Sequence, residues 1–145
     1  MIRPIEPRDV DAILAIQSAC PEIAQWSLWD YSRVARGEMA GWVAREDRSG
    51  AISGFLVARQ IAGEIEILNL AVGRDVRRRG VGSALLRESF AWGKSFGAAS
   101  ALLEVRETNL AALRFYERHG FQIFSRRKQY YISPVEDALV LKANL

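Results

Sequence analysis

The sequence contains very few of the residues that build metal centres and disulfide bonds. It has one cysteine, Cys20, and one histidine, His119, among its 145 residues. A single cysteine cannot close an internal disulfide, which fits a reducing cytoplasm, where we expect the protein to act. Cys20 lies beside Pro21 and far from any motif, so we expect a structural role for it. Without a cluster of histidine and cysteine, we expect no metal ion.

Long apolar runs and a strong net charge are also missing. No run of about 18 or more apolar residues occurs, and the N-terminus lacks the apolar segment of a secretory signal. We therefore expect no membrane partner. The formal net charge is +3, too small to indicate nucleic-acid binding by itself. The basic run 126–128 leaves an RNA-binding module as an alternative, but no RNA-recognition motif accompanies it.

Hydrophobic residues make up 50% of the chain, enough for the core of one domain spanning residues 1–145. Their spacing predicts strands at residues 2–5, 41–44, 54–61, 64–72, 101–105, 122–125 and 138–141. It predicts helices at residues 7–19, 28–36, 81–96 and 109–119. This order predicts an α/β fold of the α+β type with a central, mostly antiparallel sheet. The crossover helix between strands 64–72 and 101–105 makes those two strands parallel.

The densest positive charge lies in the stretch DVRRRGVGSALL, residues 75–86. A helix N-terminus has free backbone N–H groups and a partial positive charge, which together favour an anion. Gly80 and Gly82 allow tight turns and close approach of a ligand. The stretch therefore predicts a phosphate or pyrophosphate site, with a solvated basic helix end as the alternative. No lysine follows the glycines, so this is not a Walker A loop, and Leu85 replaces the third glycine of the dinucleotide fingerprint.

Two motifs in the right order resemble the GNAT superfamily of N-acetyltransferases. The pyrophosphate loop of that superfamily, [QR]-x-x-G-x-[GA], is matched by Arg77, Gly80 and Gly82. Its later motif, N-x-x-A-x-x-[FL]-Y-x-x-x-G-F, is matched without a gap by residues 109–121. The resemblance covers residues 41–142 well and the first 40 weakly. It implies the GNAT fold, with a β-α-β core that binds acetyl-CoA as co-substrate and needs no metal.

Within that superfamily, five segments resemble the bacterial ribosomal-protein S18 alanine N-acetyltransferases: EILNLAV, LLEVRETN, FYERHGF, RRKQYY and EDALVL. This resemblance implies acetyl transfer to the N-terminal α-amine of a protein, with ribosomal protein S18 as the partner. Thr108 and Gln129 depart from the serine and the frequent asparagine of that family. The loop 132–135 is short, and the early segment is only echoed by Gln25-Trp26-Ser27. These departures bear on peptide specificity and not on the fold.

The resemblance also implies roles for individual residues. Glu104, in an otherwise apolar strand, is expected to be partly desolvated and to act as the general base, with Glu66 on the preceding strand as its rival. Tyr116 is implied as the general acid toward the coenzyme A sulfur. Leu70, Ala71 and Val72 are implied to pair with the pantetheine arm through their backbone. The other implied cofactor contacts are Arg77, Arg78, Arg79, Gly80, Val81, Gly82, Ser83 and Asn109, the last also fitting a helix N-cap.

Alternatives remain open for the remaining residues and for the acceptor. Tyr130 and Tyr131 are either walls of a peptide groove or ordinary strand aromatics. His119 is expected to interact with the C-terminus of its own helix. An α-amine, with a pKa of about 8 against about 10.4 for lysine, is the easier acceptor to deprotonate. A lysine side chain or a polyamine is the alternative acceptor, and a non-catalytic acyl-CoA-binding module is the alternative of another class.

Overall fold

The computed structural model describes residues 1–145 and builds them around one seven-stranded sheet. The strands are β1 Ile2–Pro4, β2 Ala40–Arg45, β3 Ile52–Ile61, β4 Glu64–Val72, β5 Ser100–Arg106, β6 Gln122–Ile132 and β7 Val135–Asn144. They are ordered β1-β2-β3-β4-β5-β7-β6 across the sheet. Only β4 and β5 run parallel, and all other neighbours are antiparallel. The predicted mixed sheet with one parallel pair is confirmed.

Four α-helices flank the sheet: α1 Val10–Ser18, α2 Leu28–Ala35, α3 Val81–Ser95 and α4 Leu110–Arg118. The first helix was predicted from residue 7, but Pro7–Asp9 forms a 3-10 turn. It differs because the Asp9 carboxylate turns back to accept a hydrogen bond from the Glu6 N–H and to pair with Arg3. Helix α2 begins at a capping box between Ser27 and Asp30. No helix has the length and hydropathy that crossing a membrane requires.

Each face of the sheet buries its own helix pair. On one face, α3 and α4 pack over residues such as Leu56, Ile65 and Leu103. On the other face, α1 and α2 pack over Phe55 and Val57. The strand β3 serves both cores because consecutive side chains point to opposite faces. The burial of these apolar side chains is the main term that holds the helices on the sheet.

The two C-terminal strands are longer than the sequence predicted. Residues 122–125 and 138–141 were expected as short strands, whereas β6 and β7 form a long hairpin joined at Ser133-Pro134. Every β6 residue except Tyr131 is exposed, since β6 is the edge strand and no helix covers it. The strand therefore lacks the apolar alternation that marks a half-buried strand. Its register also shifts between Arg127 and Tyr131, where Gln129 has a φ of +51°.

Candidate active site

A cleft opens in the middle of the sheet, where the parallel strands separate. Pairing between β4 and β5 covers only residues 65–67 and 101–103. On the other side of β4, Val57 pairs with Asn69 and Ala58 with Ile67, so Leu68 is an extra residue in a β-bulge. The bulge changes the face that β4 presents, because Ile67 packs on the α3 side and Ala71 on the α1 side. The separated strands leave a cleft of about 780 Å³.

Five segments of the chain line this cleft. Residues 66–70 of β4 and 103–106 of β5 form its floor, and residues 130–133 of the β6–β7 hairpin form one wall. The opposite wall is residues 21–26, which we call the α1–α2 loop. Asn109, Ala112 and Tyr116 of α4 complete the lining. The α1–α2 loop was not predicted to form part of a site, and the only sequence signal within it was the weak Gln25-Trp26-Ser27 match.

The backbone of Leu70, Ala71 and Val72 has a partner on one side only. These residues pair with Leu56, Phe55 and Gly54 of β3. On the β5 side they have no strand partner, because the parallel pairing ends at Ile67. An unpaired strand edge of this kind presents free N–H and C=O groups that an extended ligand can pair with.

Glu104 and Glu66 both line the cleft from neighbouring strands. They lie on one face of the sheet, because Glu66 pairs with Leu102 and side chains alternate along a strand. Glu104 is 3.3 Å from Nε of Arg127, and Glu66 is 3.1 Å from Nη2 of Arg59. The structure thus brings both candidate bases into one cleft, each with one arginine partner.

Tyr116 is the buried aromatic residue of α4 that reaches the cleft. Its ring packs edge-on against Phe115 and Phe121, with centroids 5.2 and 5.4 Å apart. Only 9% of the residue is exposed, and its hydroxyl has no hydrogen-bond partner within the protein. Burial raises the pKa of the Tyr116 hydroxyl. The hydroxyl therefore keeps its proton at neutral pH and can donate it to a group bound in the cleft.

Asn109 begins the helix that carries Tyr116. Its side-chain oxygen accepts a hydrogen bond from the Ala112 N–H at 3.3 Å, so the predicted N-cap is confirmed. The residue also lines the cleft, beside the carboxyl end of β5. The cap fixes the first turn of α4. It therefore also fixes the position of Tyr116, which follows two turns later and reaches the cleft.

The basic loop before α3 has the backbone shape of an anion site. Arg78 and Gly80 adopt left-handed conformations, with φ of +68° and +81°. No side chain caps α3, and the N–H groups of Val81, Gly82 and Ser83 have no partner within the protein. Arg79, like Arg78, is exposed and forms no ion pair. The loop therefore presents free N–H groups beside unpaired positive charge, as the sequence predicted.

Two residues of this loop make contacts that the sequence did not predict. Gly82 was expected to admit a ligand, yet a Cβ there would meet the Phe115 ring at 3.2 Å, so the glycine also lets α3 approach α4. Arg77 turns its guanidinium back into the protein. It donates to the Val72 carbonyl at 3.3 Å and to the buried Cys20 Sγ at 3.1 Å, and lies 3.7 Å from Glu22. Arg77 thus ties the basic loop to the start of the α1–α2 loop.

The prediction for the His119 side chain was wrong. Its Nε2 lies 2.9 Å from the Ser83 hydroxyl on α3 rather than against the C-terminus of its own helix. The close packing of α3 on α4 causes this, because the imidazole also lies against Phe115, with ring centroids 4.7 Å apart. Burial, followed by the charges of Arg87 and Arg118, lowers the pKa of His119. The Ser83 hydroxyl therefore has a protein partner, whereas its backbone N–H, the group predicted to contact a phosphate, has none.

The hairpin wall is fixed to the floor of the cleft by Arg106. Its guanidinium donates to Glu136 at 3.1 Å and to the carbonyls of Ser133 and Pro134 at 3.2 Å. It also lies over the Tyr131 ring, 4.2 Å from the centroid. Burial raises the pKa of Tyr131 to about 12. Tyr131 and Tyr130 both line the cleft. This position is compatible with the first of the two alternatives for them, the wall of a peptide groove.

The charges inside the cleft are largely balanced. Its carboxylates belong to Glu22, Glu66 and Glu104, and each of them lies within 4 Å of an arginine. No group of three or more histidine, cysteine, aspartate or glutamate side chains is arranged to hold a metal ion. The cleft therefore combines a largely apolar lining with paired carboxylates and the unpartnered Tyr116 hydroxyl.

Comparison with known proteins agrees with this geometry. The [ribosomal protein bS18]-alanine N-acetyltransferase of Escherichia coli (strain K12) is 33% identical over 96 residues, which is 65% of this chain and 65% of that relative. The chain thus matches less than two thirds of that relative's length. An N-alpha-acetyltransferase of Sulfurisphaera tokodaii is 29% identical over an alignment of 158 positions, which covers 99% of this chain and 92% of the relative.

Solved structures show the same architecture. The crystal structure of the ribosomal-protein-S18-alanine N-acetyltransferase from Escherichia coli has a TM-score of 0.86 and 27% identity, covering 99% of this chain and 92% of that one. A family model described as "Acetyltransferase (GNAT) family" matches residues 10–121. Acetyltransferases of this family use acetyl-CoA as the acyl donor. The chain belongs to the acetyltransferase (GNAT) family.

Proposed function

We propose that the protein transfers the acetyl group of acetyl-CoA to the N-terminal α-amine of a polypeptide. The observation that carries this proposal is the separation of β4 and β5, which leaves an unpaired strand edge next to the cleft that Glu104 and Tyr116 line. An extended donor can pair with the backbone of residues 70–72, and its phosphates can bind the free N–H groups at the start of α3. Arg78 and Arg79 add charge there, and Asn109 lines the cleft.

In this proposal, acetyl-CoA supplies an acetyl group activated as a thioester. The neutral amine nitrogen attacks the carbonyl carbon, so that a C–N bond forms and the C–S bond breaks. Glu104 accepts the proton that the amine loses. Tyr116 gives a proton to the departing thiolate, for which its protonated, unpartnered hydroxyl is suited. Glu66 lies on the same face and is the rival base.

The charges of the cleft favour a peptide over a polyamine as the acceptor. A polyamine site needs uncompensated carboxylates, whereas those of Glu22, Glu66 and Glu104 each have an arginine partner. The walls formed by the α1–α2 loop and by Tyr130 and Tyr131 can instead contact an extended chain. The names of two relatives, an S18-alanine and an N-alpha-acetyltransferase, support the same class of acceptor.

The specific acceptor that we propose is the N-terminal alanine of ribosomal protein S18. This proposal rests on the similarity to the S18-alanine N-acetyltransferase of Escherichia coli and on the five sequence segments that resemble that family. Because Thr108, Gln129 and the short 132–135 loop depart from that family near the cleft, the acceptor must be tested directly.

The test is free-thiol release from acetyl-CoA with a panel of acceptors. The panel contains a peptide with the S18 N-terminus of the host, the same peptide with a blocked α-amine, a lysine peptide and spermidine. We expect release with the free N-terminus only. Faster release with the lysine peptide or spermidine would show that the acceptor is a side-chain amine or a polyamine and not an α-amine. Tight acetyl-CoA binding without any thiol release would favour a non-catalytic acyl-CoA-binding module.

A further inference from the structure

A buried hydrogen-bond network lies beneath the α1–α2 loop. The Gln17 amide accepts from the Trp26 N–H at 2.9 Å and donates to the Trp26 carbonyl at 2.8 Å. The Tyr31 hydroxyl donates to the same Gln17 oxygen and accepts from the Asn69 amide at 3.0 Å. Asn69 also donates to the Ala24 carbonyl at 2.9 Å. Three side chains from α1, α2 and β4 thus hold the backbone of the loop at two points.

The network is buried as deeply as the apolar core around it. Gln17, Tyr31 and Asn69 are 6%, 0% and 5% exposed. Buried polar groups destabilise a core unless their hydrogen bonds are satisfied, and here the three side chains satisfy one another and the loop. Burial raises the pKa of Tyr31, so the hydroxyl stays protonated as a donor. The polar atoms in this core therefore fix the position of a backbone segment, which apolar side chains of equal volume cannot do.

The position of Asn69 links the loop to the cleft. It directly follows the bulged Leu68, at the point where β4 has left β5. The loop is thus aligned to the part of β4 where the proposed reaction takes place. Its backbone at residues 24–26 forms the wall opposite the tyrosines of the hairpin.

We propose that Gln17, Tyr31 and Asn69 are positioning residues that hold the α1–α2 loop in the shape that receives the acceptor polypeptide. The inference rests on the proposed function, since it assigns one wall of that site to the acceptor. The donor-binding groups lie elsewhere, on α3, α4 and residues 70–72, and Arg77 ties the loop to them only at residues 20–22. The network therefore sets the KM for the acceptor and leaves the KM for acetyl-CoA unchanged.

A matched pair of substitutions separates this role from general stability. Tyr31→Phe removes one hydroxyl from a fully buried side chain beneath the loop. Ser89→Ala removes one hydroxyl from an equally buried side chain on α3, where it bonds only to the Leu86 carbonyl. We expect Tyr31→Phe to raise the KM for the acceptor peptide by about fivefold to tenfold, because the hydroxyl's bonds to Gln17 and Asn69 are lost and the loop is held less firmly. The kcat of Tyr31→Phe and its KM for acetyl-CoA should stay within about twofold of the wild-type values. All kinetic constants of Ser89→Ala should stay within the same range.

Hydrogen exchange followed by mass spectrometry tests the same idea without turnover. The Trp26 N–H should exchange faster in Tyr31→Phe, because its acceptor Gln17 loses a partner, and should be unchanged in Ser89→Ala. Gln17→Met, which keeps the side-chain volume and removes both bonds to Trp26, should give the same result if Tyr31→Phe folds poorly. An unchanged acceptor KM, an equal rise in the donor KM or unchanged Trp26 exchange would overturn the inference. If the wild type acetylates no N-terminal peptide, the proposed function fails, and the exchange experiment still decides whether the network holds the loop.

Discussion

The carboxylate of Glu104 on β5 lies 3.3 Å from Nε of Arg127 on β6, across the intervening strand β7. The Tyr130 hydroxyl interacts with the same carboxylate, and hydrogen bonding to Glu104, followed by burial, raises the pKa of Tyr130. The proposed base is therefore oriented by the hairpin that forms one wall of the cleft. A change in the hairpin should affect the base as well as acceptor binding.

Glu104→Gln should lower kcat by about 100-fold or more, since the amide cannot accept the amine proton. Glu66→Gln, on the same face of the sheet and equally bound to an arginine, is the matched control and should keep kcat within a few-fold of the wild type. Steady-state kinetics with a saturating acceptor peptide gives both values. The reverse pattern would assign the base to Glu66.

Tyr116→Phe should lower kcat by about 100-fold through loss of the proton donor, with little change in the acetyl-CoA KM. Burial raises the pKa of Tyr116, so the neutral hydroxyl persists to higher pH than a free tyrosine, which titrates near pH 10. The wild-type kcat should therefore show no fall from tyrosine ionisation below about pH 10. A fall below that pH which vanishes in Tyr116→Phe would contradict the buried, protonated state.

Arg79→Ala should weaken acetyl-CoA binding several-fold at low salt, because the exposed guanidinium attracts the phosphates without competing protein partners. The effect should shrink as ionic strength rises, since exposed charges are screened beyond about 10 Å at 0.1 M salt. Calorimetric titration at two salt concentrations measures it. Arg48→Ala, which removes an exposed, unpaired arginine from the remote β2–β3 turn, should leave binding unchanged, and equal losses in both variants would point to a nonspecific charge effect.

Asp9→Asn should lower the free energy of unfolding by about 2–3 kcal/mol at pH 7, because it leaves the mostly buried Arg3 with only its longer, 3.8 Å contact to the exposed Glu6 carboxylate. Burial on its own raises the pKa of Asp9, but hydrogen bonds from Arg3 and from the Glu6 N–H outweigh it, and the pKa is lowered. The pair therefore stabilises the fold fully above the unfolded pKa of about 3.9 and loses this effect as the pH falls through the lower, folded value.

Urea denaturation at pH 7 and at stepwise lower pH checks this dependence, with the exposed Asp11→Asn as control. The stability gap between the wild type and Asp9→Asn should narrow as the pH falls below about 4. A gap that stays constant over that range would show that the substitution acts through packing and not through charge.

The central β-loop-α unit was predictable because its parts agree with one another. The apolar strand 64–72, the glycines before α3 and the closing Gly97 each indicate the same arrangement, and the structure has it. Helix α4 was predictable for the same reason, because Asn109 marks its N-cap. Local signals were sufficient for these elements.

The features that create the cleft left no such signal. ILNLAV is apolar at nearly every position, so its pattern could not reveal the bulge at Leu68 or the change of face that follows it. The directions of the Arg77 and His119 side chains depend on contacts with Cys20 and Ser83, more than 30 residues away in the sequence. The Gln17–Tyr31–Asn69 network likewise joins three distant segments, and each residue alone is unremarkable as sequence.

The most direct measurement is to locate the acetyl group on a single peptide that offers both kinds of amine. The peptide carries the S18 N-terminal sequence with a free α-amine and one internal lysine, and fragmentation mass spectrometry identifies the modified nitrogen after incubation with the protein and acetyl-CoA. We predict a single acetyl group on the α-nitrogen, formed at least 100-fold more slowly by Glu104→Gln. Acetylation of the lysine side chain, or none with the wild type under conditions where acetyl-CoA binds, would contradict the proposed function.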